Sequence, residues 1–181
     1  MKKIAMILVL LITAISGCKD RPSNGTSNTA IQQKSNASSS ISETTHNLII
    51  QYNALLSEGY KTTDMTKLQE VTTPELAQKA YYHMAAIGES KNRMVSELKK
   101  IDFIETDCST AQKCSILTKE VWDFAYADII TGARSNEVKD YVYDVNYLAE
   151  NRQGRWLITE ITANGEERKE IPSWKEMFRK H

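Results

Sequence analysis

Three cysteines, three histidines and eight tyrosines carry most of the chemistry this sequence could do. Cys108 and Cys114 form a close pair, and in an exported domain such a pair is most simply a disulfide. Closing so short a loop would stabilise a fold by roughly 2–3 kcal/mol in the chain-entropy model. A metal site is the alternative, but no histidine is nearby and the spacing matches no zinc pattern. His46, His83 and His181 show no metal-ligand spacing, so neither a metal nor a cofactor is expected. No GxSxG, phosphate-binding or dinucleotide glycine pattern occurs among the seven glycines. Tyr126, Asp128, Tyr141 and Tyr143 fall on the expected sheet or its edges and are the titratable candidates for a pocket there. Tyrosines at period two more often cover a sheet face than line a reactive pocket. Trp122 and Trp156 are expected in the core or a pocket wall, and Trp174 is the better candidate for contact with a partner.

The elements that would position these residues follow from periodicity. Leu48, Ile49, Tyr52, Leu55, Leu56 and Tyr60 recur at helical spacing, with Thr44 or Thr45 as a start signal. Asp64 suits the N-cap of a short second helix carrying Met65, Leu68 and Val71. Thr73 and Pro74 open a third helix, whose apolar stripe runs from Leu76 through Ile87 to Leu98. Beyond Lys100 the period becomes two. Strands are expected over 101–108, 116–124, 138–149 and 155–162, with a turn at Asn151-Arg152-Gln153-Gly154. On the second strand Ile116, Thr118, Glu120, Trp122 and Phe124 share one face. On the third Tyr141, Tyr143 and Tyr147 do. Helices followed by an antiparallel meander predict an α+β domain.

The N-terminus reads differently. Met1-Lys2-Lys3 precedes an apolar run, Ile4 to Ile15, which is shorter than the roughly 20 residues a membrane-spanning helix needs and suits a signal-peptide core. It ends in Ile15-Ser16-Gly17-Cys18, which resembles the lipobox of bacterial lipoproteins. The resemblance implies a signal peptide over 1–17 and removal of it before Cys18. It also implies a diacylglyceryl group on that thiol, with an acyl chain such as palmitate on the new amine. Two or three chains at about 0.8 kcal/mol per buried CH₂ anchor a protein to a membrane stably. Lys19 at the next position implies sorting to the outer membrane, facing the periplasm, in a two-membrane organism. Residues 18–43 are rich in Ser, Thr, Asn and Gln and are expected to form a flexible linker.

Lys plus Arg and Asp plus Glu both total 23, so no global field invites nucleic acid. Residues 44–163 resemble the NTF2-like (SnoaL/ketosteroid-isomerase) cone superfamily, chiefly through the closing strand Gly154-Arg155-Trp156-Leu157-Ile158-Thr159-Glu160-Ile161. The resemblance implies three N-terminal helices on a curved antiparallel sheet, followed by a tail over 164–181. Homodimers and enzymatic members are known in that superfamily. The function expected is a membrane-anchored, non-catalytic module that binds a small apolar ligand or an envelope protein. The resemblance also implies an alternative, an isomerase- or cyclase-type enzyme using an Asp–Tyr pair, with Asp128 as base and Tyr126, Tyr141 or Tyr143 as proton donor.

Overall fold

A computed structural model describes residues 27–165, with side chains described from 39 to 164. The expected signal peptide 1–17, Cys18 and Trp174 lie outside the described residues, as does the chain from 166 onward. Helix α1 spans Ser27–Thr62, a 3-10 turn Thr66–Glu70, and helix α2 Pro74–Glu89. Four strands follow: β1 Asn92–Thr110, β2 Lys113–Asp128, β3 Arg134–Arg152 and β4 Arg155–Gly165. They form one sheet in the order β1-β2-β3-β4, with every neighbouring pair antiparallel.

The expectation of three N-terminal helices on a cone-type sheet is overturned. Among the described residues there are two α-helices and one 3-10 turn, and the sheet is the largest part. The second expected helix is only the turn, because Thr72 leaves it to pair with Ile158 on β4. The third helix stops at Glu89 rather than reaching Leu98. Lys91 has a positive φ of 57°, which ends the helix and starts β1 at Asn92. Met94, Val95 and Leu98 therefore lie on a strand. Helix α1 begins inside the segment expected to be a linker. No proline interrupts Ser27–Thr62, and Ala30, Gln32, Gln33 and Lys34 are good helix formers. Thr44 and Thr45 are not caps. Their hydroxyls donate back to the carbonyls of Ser40 and Ser42 at 2.8 and 3.0 Å, a bond typical of helix interiors.

The strands are longer than expected because bulges carry them through irregular positions. On β1 the register shifts between Leu98 and Lys100 and again between Phe103 and Glu105. Each shift admits one extra residue, Lys99 or Ile104, and so returns Ile101, Phe103 and Thr106 to the helix side. On β3 the shifts fall at Asp140 and Asn136, which have φ of 52° and 50°. Bulges add local twist, which lets such long strands coil around a helix.

Helix α1 lies along the inner face. Its Leu48, Ile49, Tyr52 and Tyr60 join Ile116, Val145, Tyr147, Ala149 and Ile158 in one buried core. The segment between the 3-10 turn and α2 closes part of the β4 edge. The Thr73 N–H donates to the Ile158 carbonyl at 3.0 Å, and the Ile158 N–H to the Val71 carbonyl at 2.9 Å. Cys108 and Cys114 form a disulfide across the β1–β2 hairpin, with Cα atoms 4.1 Å apart.

Candidate functional site

The chemistry of the domain concentrates around a residue that composition does not single out. Glu120 points from β2 under α1 and is 2% exposed. Alternation along β2 puts it on the inner face with Ile116, Thr118 and Trp122, all buried. Across the sheet it faces Tyr143 on β3 and Ile101 on β1.

Four donors converge on its carboxylate. Oε1 accepts from the Tyr147 hydroxyl at 2.7 Å, the Thr118 hydroxyl at 3.0 Å and Asn53 Nδ2 at 3.2 Å. Oε2 accepts from Trp122 Nε1 at 2.8 Å. Asn53 is itself buried on α1, so this ring ties the helix to two strands. No salt bridge to Glu120 occurs among the described residues, and neutral donors satisfy it. Burial, and next the Glu120 charge, push the Tyr147 hydroxyl well above its ordinary range, which keeps it a donor. Burial also raises Tyr52, with Tyr60 and Glu120 adding to the effect.

Toward the end of the sheet where α1 finishes, the inner face is aromatic. Trp122 stacks on Phe124 with ring centroids 5.9 Å apart. Phe124 meets Tyr141 and Tyr143 edge-on, and those two tyrosines lie 4.6 Å apart. The Tyr60 hydroxyl and His83 Nδ1 share a hydrogen bond that links α1 to α2. Burial pushes both Tyr126 and Tyr143 up to about 12, with Tyr141 and Tyr126 contributing at Tyr143. Burial lowers His83.

The sequence-derived candidates therefore divide. Trp122, Tyr126, Tyr141 and Tyr143 come together on the inner face, Trp122 in the core and the tyrosines half-buried beside it. Trp156 is half-buried at the core's margin. Asp128 does different work at the end of β2. Its Oδ1 accepts from the Thr131 N–H at 2.7 Å, the Ile130 N–H at 2.9 Å and the Thr131 hydroxyl at 2.9 Å. Those bonds, the Thr131 N–H first, hold its carboxyl below the usual range. Asp128 is a turn-former. The ring around Glu120 was missed, although its signal was present: a carboxylate on the same strand face as Ile116 and Trp122. No group of His, Cys, Asp and Glu among the described residues is arranged to hold a metal ion. No helix among them is long and apolar enough to cross a membrane.

No protein-family model matches the chain, and no curated protein matches it. Among solved structures, the intermembrane-space region of the chloroplast protein ARC6 is similar, with a TM-score of 0.59 at 15% identity. The match covers 68% of this chain and 96% of that one. At that identity the likeness shows a shared fold alone.

Proposed function

We propose that this chain is a lipid-anchored envelope protein whose extracytoplasmic domain binds or assembles other components by its surface, without catalysis. The observation that carries the reading is the closed inner face. Where an enclosed ligand would lie, Ile116, Thr118, Glu120, Val145, Tyr147 and Ala149 are all buried, and the one carboxylate among them is saturated with internal donors. Contacts with other molecules then fall to the outside of the helices, the outer sheet face and the hairpin tips. Asp128, the base of the alternative enzymatic reading, is committed to its own turn.

The anchor rests on Ile15-Ser16-Gly17-Cys18 and the basic-apolar segment before it. The Cys108–Cys114 disulfide suits an oxidising compartment. The ARC6 region is described as lying in an intermembrane space, which is consistent with an envelope location here.

The test has two parts. Metabolic labelling with a radioactive fatty acid should mark the wild-type chain and not Cys18→Ser; equal labelling of both would remove the anchor. Native mass spectrometry of the purified protein should show its bare mass or a protein complex. A retained small molecule in stoichiometric amount would favour an enclosed ligand site and refute the surface reading.

A further inference from the structure

The helical layer carries one groove on its outside. It lies between the 3-10 turn and α2, is open along one side and has a volume of about 450 Å³. Met65 and Ala77 are buried at its base, Met84 is half-buried, and Tyr81 lies along it. Asp64, Thr66, Gln69, Glu75 and Gln78 supply the polar rim. Beside it Tyr81 and Tyr82 are 51% and 60% exposed, and Gln78 Nε2 donates to the Tyr82 hydroxyl at 3.0 Å.

We propose that this groove docks a segment of a partner protein that carries a bulky apolar anchor next to lysine or arginine. The proposal rests on the binding-module reading above and gives that module a place and a partner chemistry.

Two properties of the lining carry it. The first is its apolar chemistry. Thioethers are unbranched and polarisable, so Met65 and Met84 can fit an irregular aliphatic or aromatic side chain. Exposed tyrosines at the margin are typical of contacts that contribute strongly to binding. The second is charge. Two carboxylates, Asp64 and Glu75, line the groove, and no lysine or arginine does. Bonds from the Thr66 N–H and hydroxyl hold Asp64 in its anionic form below the usual range. Lys67 stands outside the lining, although its charge also reaches Asp64. An anionic rim repels phosphate-bearing surfaces, whether nucleic acid or lipid headgroups, and attracts a cationic segment. Glu75 is exposed in the first turn of α2, on the groove's rim.

The experiment places a benzophenone amino acid at Gln69 or Tyr82 in the full chain, in its own cells, with Ile130 and Leu148 as positions remote from the groove. Irradiated cross-links are digested, and the attached segment is sequenced. The expected result is a segment with large apolar residues flanked by Lys or Arg, captured from Gln69 and Tyr82. Its yield should fall about threefold or more in Glu75→Gln and in Gln78→Lys. Gln78→Lys removes no carboxylate, and melting curves of both variants should match wild type. An acidic segment, a lipid, the chain's own residues 166–181 or a second copy at the groove would each overturn the proposal. So would a yield unmoved by either variant. Cross-links from Ile130 or Leu148 alone would overturn the groove and keep the binding module, whereas no cross-link from any position would overturn both.

Discussion

Replacing Glu120 with alanine removes the acceptor shared by four buried donors, and the cost can be worked from what each donor has left. The Tyr147 hydroxyl can turn to Asn53 Oδ1, 3.3 Å away, and the Thr118 hydroxyl to the Val145 carbonyl, also at 3.3 Å. Trp122 Nε1 and Asn53 Nδ2 have no such fallback among the bonds found. Each buried donor left unmet costs about 1–3 kcal/mol, so the pair costs roughly 2–6 kcal/mol before any cavity term. That is a large share of the 5–15 kcal/mol that typically separates a folded domain from its unfolded chain. Glu120→Gln is milder. Its oxygen can keep the three donors now on Oε1, while its amide N–H faces the Trp122 N–H, and a loss of about 1–2 kcal/mol is expected. Urea unfolding followed by tryptophan fluorescence, with the disulfide intact, measures both. Asn53→Leu combined with Glu120→Ala should cost less than the sum of the two, since they share one network. An alanine variant within about 1 kcal/mol of wild type, or strict additivity in the pair, would refute the idea that these donors depend on Glu120.

Reducing the Cys108–Cys114 bond should lower stability by about 2 kcal/mol, given a sequence separation of 6. The check is a denaturation curve with and without reductant, and no change would mean that the hairpin is held fully by its strand pairing. Alkali should unfold the domain progressively. Tyr52, Tyr60, Tyr126, Tyr143 and Tyr147 all have raised values in the fold, with Tyr126 and Tyr143 at about 12. Unfolded tyrosines ionise near ~10, so the unfolded chain loses protons first. Stability is then complete below that pH and falls as pH rises towards 12. Tyrosinate absorbance that followed a single ordinary titration while the circular dichroism stayed native would contradict this.

The strand region was legible where period two was clean. On β2, Cys114, Ile116, Thr118, Glu120 and Trp122 are all buried, as alternation requires. The disulfide could be read because two cysteines near a tight turn have few other roles. The sequence misled where two periods coincide. Met94, Val95 and Leu98 fit a helical stripe as well as a strand, and the bulged Lys99 hides the alternation that continues beyond it. The 3-10 turn looked like a helix because Met65, Leu68 and Val71 have helical spacing. Their burial instead reflects packing beneath a segment that pairs with the β4 edge. The cone resemblance asks for an aspartate base near a tyrosine and Asp128 fits that description, whereas an aspartate before Thr131-Gly132 is equally a turn residue. Glu120 stood on the correct face, but a carboxylate within an apolar series reads as an exposed edge unless its donors can be located. Two of those donors, Thr118 and Trp122, are its own neighbours on β2, but Tyr147 comes from β3 and Asn53 from α1, 67 positions from Glu120 and beyond any local pattern.

The buried ring and the surface groove are connected through α1. A buried carboxylate is rarely the most stabilising choice for a core, and its better-attested use is to fix one arrangement among several. Here that arrangement is the position of α1 along the sheet. Sliding the helix by one turn, about 5.4 Å, would take Asn53 away from Glu120 and Tyr147. The last turn of α1 also packs against the loop that lines the groove. Gly59 lies so close to the following loop that a Cβ there would sit 2.5 Å from Met65 Sδ and 3.0 Å from the Asp64 carbonyl. The Asp64 N–H donates to the Gly59 carbonyl at 3.0 Å. Tyr60, one residue on, bonds to His83 on α2, the helix that forms the other wall. The axial position of α1 therefore sets the height of Met65 in the groove and the spacing between its walls. Breaking the ring is costly whether or not an apolar core would be more stable, so it can hold α1, and through it Met65, in one position.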